Sequence, residues 1–79
     1  MEQHPDPIFS FRELAEIHSW LMTALEDVDY GPSGGSDEAE ELIGLKAVIS
    51  AAGKIEKRLD CPVAAVEYLP KLRAMGWEV

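Results

Sequence analysis

The sequence predicts an all-α protein, a compact three- to four-helix bundle made of an antiparallel helical hairpin and a kinked C-terminal helical segment. Three observations carry this. Apolar residues recur at spacings of three and four through two long stretches, which is the helical period. Each stretch follows a residue pattern that caps a helix start. Between them lies a run of glycine, proline and serine, which ends one helix and lets the chain reverse.

Residues 1–9 carry Pro5 and Pro7, which favour extended backbone, and read as an N-terminal arm. Residues 10–79 read as one helical domain. The first helix, about 10–28, opens on a capping box. Ser10 is the N-cap and Glu13 reaches back to it, with Phe9 and Leu14 spaced as a hydrophobic staple. Its stripe is Leu14, Ile17, Leu21, Leu25 and Val28. The loop at 30–36, Tyr-Gly-Pro-Ser-Gly-Gly-Ser, reads as flexible. Asp37 is the expected N-cap of the second helix, 37–59, with Glu40 at its N3 position and a stripe of Leu42, Leu45, Val48/Ile49, Ala52, Ile55 and Leu59. Acids at its start and Lys54, Lys57 and Arg58 near its end both suit the helix dipole.

A third helix is expected over 62–75, with Pro62 in its first turn. Pro70 would clash with the carbonyl of Val66, which predicts a kink or break there. The alternative, a strand over Pro62–Leu69, would have nothing to pair with. Gly76 fits the residue just past a helix end, with Trp77 folding back on Leu72.

The chain has 79 residues and a mass of 8.7 kDa. A globular chain this short buries only about 60% of its unfolded surface. Its stability must come from close packing, a metal or a partner, and a homodimer is one solution. The single cysteine, Cys61, permits neither an internal disulfide nor a cysteine-based zinc site. The acidic N-terminus, with no apolar run behind it, and the absence of any stretch of about 20 apolar residues predict a cytoplasmic protein that does not cross a membrane.

Charge is unevenly spread. Residues 1–45 hold eleven acids and one base, Arg12, whereas residues 46–79 hold four acids and six bases. The net charge of −8 argues against direct binding to nucleic acid or an anionic membrane. In a hairpin, Glu26, Asp27, Asp29, Asp37, Glu38, Glu40 and Glu41 gather at one end. That end is either a solvated, solubilising surface or a docking site for a basic partner. Counted from Asp27, the loop also offers Asp29, Ser33 and Glu38 at calcium-loop spacings. Gly31 lacks a ligand oxygen, Pro32 stands where the turn demands glycine, and Gly34 replaces an apolar residue. The sequence therefore predicts no metal site and no cofactor.

Catalysis is not expected either. Cys61, placed by this reading where a helix begins, has no histidine near it in sequence. His18 lies in the apolar stripe and reads as a hydrogen-bonded histidine at the core edge. Every acid reads as exposed. Trp20 and Met22, on either side of the first stripe, and Ile43, on the polar face of the second helix, read as exposed apolar residues. Gly44, Ala47 and Ala51 form a small-residue edge that serves internal packing or a dimer seam.

In size, charge and lack of catalytic motifs the chain resembles the small acidic helical proteins with which phages and mobile elements block host machinery, some as nucleic-acid mimics. The likeness assigns no residue roles. The expected function is a non-catalytic protein-binding module, an inhibitor or regulator that occludes a basic, even nucleic-acid-binding, surface of a partner. The expected contacts are Asp27, Asp29, Tyr30, Asp37, Glu38 and Glu41, with Trp20 and Ile43 as apolar anchors. The alternatives are a self-associating structural or regulatory subunit and, further off, a divalent-ion-binding helix–loop–helix.

Overall fold

The computed structural model describes residues 8–32 and 34–79. Over these residues the protein is all-helical. The arm expected over residues 1–9 lies outside them as far as Pro7, and Ile8 and Phe9 form an exposed bend before the first helix.

Helix α1 runs Phe11–Glu26. Its capping box forms as expected. The Ser10 hydroxyl accepts the Glu13 amide at 3.1 Å, and the Glu13 carboxylate accepts the Ser10 amide at 2.7 Å. The other end is closed by a residue remote in sequence. Lys71 donates from Nζ to the carbonyls of Leu25 (3.1 Å) and Glu26 (2.9 Å), placing a cation at the negative pole of the helix.

Helix α2 runs Glu38–Leu59 and starts differently from the expectation. Asp37 is already in the helical region and its side chain makes no capping bond. The turn is closed instead by the Glu38 amide on the Gly35 carbonyl, and the Glu38 carboxylate accepts the Gly34 amide at 2.8 Å. At its C-terminus, Asp60 takes the left-handed conformation, φ 56°. The Asp60 amide reaches Lys57 and the Cys61 amide reaches Glu56, a Schellman ending with aspartate in the usual place of glycine.

The single helix expected over 62–75 is not formed. Residues 61–64 are non-helical, Ala65–Tyr68 form a 3-10 helix, and α3 runs Leu69–Ala74. Pro62 thus precedes the helical segment. Pro70 sits in the first turn of α3, where its missing amide is not needed, and the expected break at this proline appears as a change of helix type. Among the described residues there is no strand. The ending is the one expected: Gly76 has φ 106°, its amide bonds to Arg73, and the Trp77 amide bonds to Leu72.

The core is Leu25 and Val28 from the α1 end, Ile49 and Ala52 from α2, and Ala65, Leu72 and Trp77 from the C-terminal segment. It occupies one part of the hairpin for a geometric reason. Helix α2 is about 33 Å long, and the 3-10 helix and α3 together cover about 17 Å. The third layer packs on one face near the acidic end and leaves the opposite face open. Met22, expected to be exposed, packs against this core because the third layer lies on its side of α1.

The start of the interhelical loop is anchored. The Trp77 indole donates to the Tyr30 carbonyl at 2.8 Å, and the Pro32 ring lies against Gly76. At Gly31 an added Cβ would collide with the Met75 carbonyl oxygen. Gly31→Ala is expected to cost about 1–3 kcal/mol, because backbone must move to admit the methyl group. Urea denaturation of wild type and variant measures it, and an unchanged midpoint would contradict the contact.

Candidate binding surfaces

Three features of the molecule stand out: the acidic turn, a histidine paired with a buried carboxylate, and an apolar groove.

The hairpin brings the end of α1 and the start of α2 together, so the acids of both meet at one end. Asp27, Asp29, Asp37 and Glu40 are exposed, while Glu38 and Glu41 are half-buried. Among the described residues, the side chains of Asp27, Asp29, Asp37, Glu40 and Glu41 make no hydrogen bond or ion pair. Tyr30 stands beside them half-exposed, its ring edge-on to Trp77 with centroids 6.1 Å apart. Sequence reasoning missed Lys71, whose charge is directed at the α1 carbonyls. Tyr68 lies next to this end. Burial raises its pKa first, and the charge and hydrogen bond of Glu26 raise it further. Trp20 and Ile43 are exposed as expected, at 69% and 66%. Each lies about 9 Å along its helix from the acidic turn.

The expectation that every acid is exposed fails at Glu56, which is 1% exposed. Its Oε1 accepts the Ala64 amide at 3.1 Å, and its Oε2 accepts the Ala65 amide at 2.9 Å. His18 Nε2 donates to Oε2 at 2.8 Å. Burial pushes this carboxyl up, but the His18 hydrogen bond, the two amides and the charge on His18 together hold it below its ordinary value. The carboxylate supplies the side-chain acceptor that the start of the 3-10 helix otherwise lacks. His18 is thus the hydrogen-bonded core-edge histidine read from the sequence. A signal for Glu56 was available: it continues the buried line Ile49, Ala52 at helical spacing.

Cys61 lies at the end of α2, not at a helix start, so no helix N-terminus activates it. Its thiol donates weakly to the Glu56 carbonyl at 3.7 Å. Among the described residues no group of three or more His, Cys, Asp or Glu side chains is placed to hold a metal ion. Ser33, one position of the calcium-loop spacing, lies outside the described residues.

The third feature is an open groove of about 500 Å³ between α1 and α2. Phe9, Leu14, Ile17 and Leu21 line one side, and Ala51 and Ile55 the other, with Lys54 and Arg58 at the rim. The Arg58 guanidinium rests over the Phe11 ring, 5.6 Å from its centroid. Leu14, Ile17 and Leu21 belong to the stripe expected to form the core. They are only half-buried because the third layer covers the other face.

No protein-family model, curated protein or solved structure matches this chain. Among the described residues no helix is long and apolar enough to cross a membrane.

Proposed function

We propose that this protein is a non-catalytic binding module of the cytoplasm, an inhibitor or regulator that occludes a basic surface of a partner protein. Such a surface could equally serve to hold DNA or RNA. The observation that carries the reading is the acidic turn. Asp27, Asp29 and Asp37 present carboxylates to solvent with no cation of the described chain paired to them, and Lys71 is directed at backbone carbonyls nearby. Charge at such a surface sets the association rate and its salt dependence. Tyr30 adds an aromatic contact beside the acids, with Glu38 and Glu41 behind them. Trp20 and Ile43 are apolar anchors further along the hairpin.

The test is a pull-down from the cells of origin, washed at about 0.1 M and then about 0.5 M salt, which cuts the Debye length to less than half. A basic protein retained at low salt and released at high salt is expected. The triple variant Asp27→Lys, Asp29→Lys, Asp37→Lys should lose it while keeping the wild-type helical circular dichroism, since all three side chains are exposed. Recovery of the same partner by the triple variant, or of bait alone by wild type, would sink the reading.

A second reading, a self-associating subunit, draws on a different observation: the groove between α1 and α2 is open and apolar.

A further inference from the structure

We infer that the groove between α1 and α2 binds a medium-chain fatty acid, with its carboxylate on Lys54 and Arg58 and its alkyl chain along the apolar floor. The inference goes beyond the acidic-turn reading, which uses the other end of the hairpin. It gives the groove an occupant other than a second copy of this chain.

The head group follows from two cations without a partner. Lys54 and Arg58 stand about one turn apart on α2, so their side chains are neighbours, and like charges at that spacing repel. The chain holds 15 acids against seven bases, yet among the described residues neither cation pairs with a carboxylate. Glu13, beside Leu14 on α1, turns its own carboxylate to the Ser10 amide. The Arg58 guanidinium is held over the Phe11 ring, and its N–H groups donate to no acceptor among the described residues. A carboxylate takes such a fork in two parallel hydrogen bonds, with the Lys54 ammonium as a second positive charge beside it.

The tail follows from the floor. Leu14, Ile17 and Leu21 on one side, and Ala51 and Ile55 on the other, offer only hydrocarbon. The contact of Arg58 with Phe11 sets the cations toward the start of α1. A chain held there by its carboxylate runs toward Leu21 and Ala51. From Leu14 to Leu21 the floor extends about 10 Å along α1. With carbon–carbon bonds of about 1.5 Å, an extended alkyl chain advances about 1.3 Å per carbon, so the floor seats about eight carbons. The volume of about 500 Å³ lies in the range of small-molecule sites. Decanoate meets both demands, with one negative charge at its end and a tail of the floor's length.

Isothermal titration calorimetry with sodium decanoate, at neutral pH and below its micelle concentration, tests this. One decanoate is expected to bind per chain. From hexanoate to decanoate the affinity should rise about twofold per methylene, less than the about fourfold of full burial, because the groove is open on one side. The double variant Lys54→Gln, Arg58→Gln should bind decanoate about tenfold more weakly or worse, the scale of hydrogen bonds to a charged group. It should keep the rise with chain length. Both side chains are exposed, so the wild-type helical circular dichroism should persist. Ala51→Phe, which fills the floor from its α2 wall, should also weaken decanoate. The absence of saturable binding by wild type overturns the proposal. So does binding indifferent to either variant, an affinity independent of chain length, or equal binding of decyltrimethylammonium, which has the same tail and the opposite charge. A groove closed instead by a second copy would appear in sedimentation velocity as a dimer that decanoate does not dissociate, and that result overturns it too.

Discussion

Glu56→Ala is expected to lose about 3 kcal/mol or more of folding stability, because it removes the shared acceptor of three donors in and beside the core. Two amides, of Ala64 and Ala65, and the His18 ring lose their acceptor at once. A buried unsatisfied donor costs about 1–3 kcal/mol. A chain of this length has about 4–12 kcal/mol in all, so the variant should be partly unfolded at physiological temperature. Urea titration followed by circular dichroism measures it. Glu56→Gln should fall between, because an amide accepts at one oxygen and presents a donor where the carboxylate had a second acceptor.

The same residue sets an acid dependence. Its pKa in the fold lies below the ordinary glutamate value. The unfolded state therefore binds the proton more readily. The contribution of Glu56 is fully present above the unfolded pKa, about 4.3 for a glutamate, and is lost as pH falls through the lower, folded value. Wild type should lose stability over that acid range, and Glu56→Gln should lack this component. Equal acid profiles in the two proteins would contradict the buried carboxylate.

Trp77→Ala is expected to cost about 3–5 kcal/mol, as for other buried aromatic residues. Trp77 is 3% exposed and lies in the core. It joins two parts of the fold through three contacts: its amide closes α3, its ring meets Tyr30, and its indole holds the Tyr30 carbonyl. Trp77→Phe keeps most of the volume and should cost less, with the lost indole bond contributing about 1 kcal/mol. Thermal melts of both variants separate packing from the hydrogen bond. A Trp77→Ala melting temperature equal to wild type would show that the C-terminal turn does not hold the loop.

How much of this was legible follows from the range of each interaction. The Ser10–Glu13 box and the Gly76–Trp77 ending are written within a few residues, and both form as read. The break at Pro70 is local too, since one ring decides it. Asp37 misled because an acid before a helix start has the form of a cap, while Asp37 itself had already taken helical dihedrals. Glu56 misled because a glutamate between Ile55 and Lys57 looks like a surface residue. Its partners lie 38 residues upstream and eight or nine downstream.

Of the candidate site, the acidic turn could be read, because a hairpin gathers the charges of whatever residues flank its loop. The groove could not. The stripe Leu14, Ile17, Leu21, Leu25, Val28 is continuous in sequence, and nothing in its periodicity says that only its last two residues are buried.

The sequence by itself determined the helical class, the hairpin, the capped start at Ser10, the ending at Gly76 and the charge asymmetry. Each depends on contacts within about one or two turns. Tertiary structure alone decided which part of the hairpin the C-terminal segment covers, and so which apolar residues remain open. It also decided which partners Glu56 would meet, two amides and a histidine, and that Lys71 would close α1. These depend on where a short third layer comes to rest, and its length against that of α2 leaves one face of the hairpin uncovered.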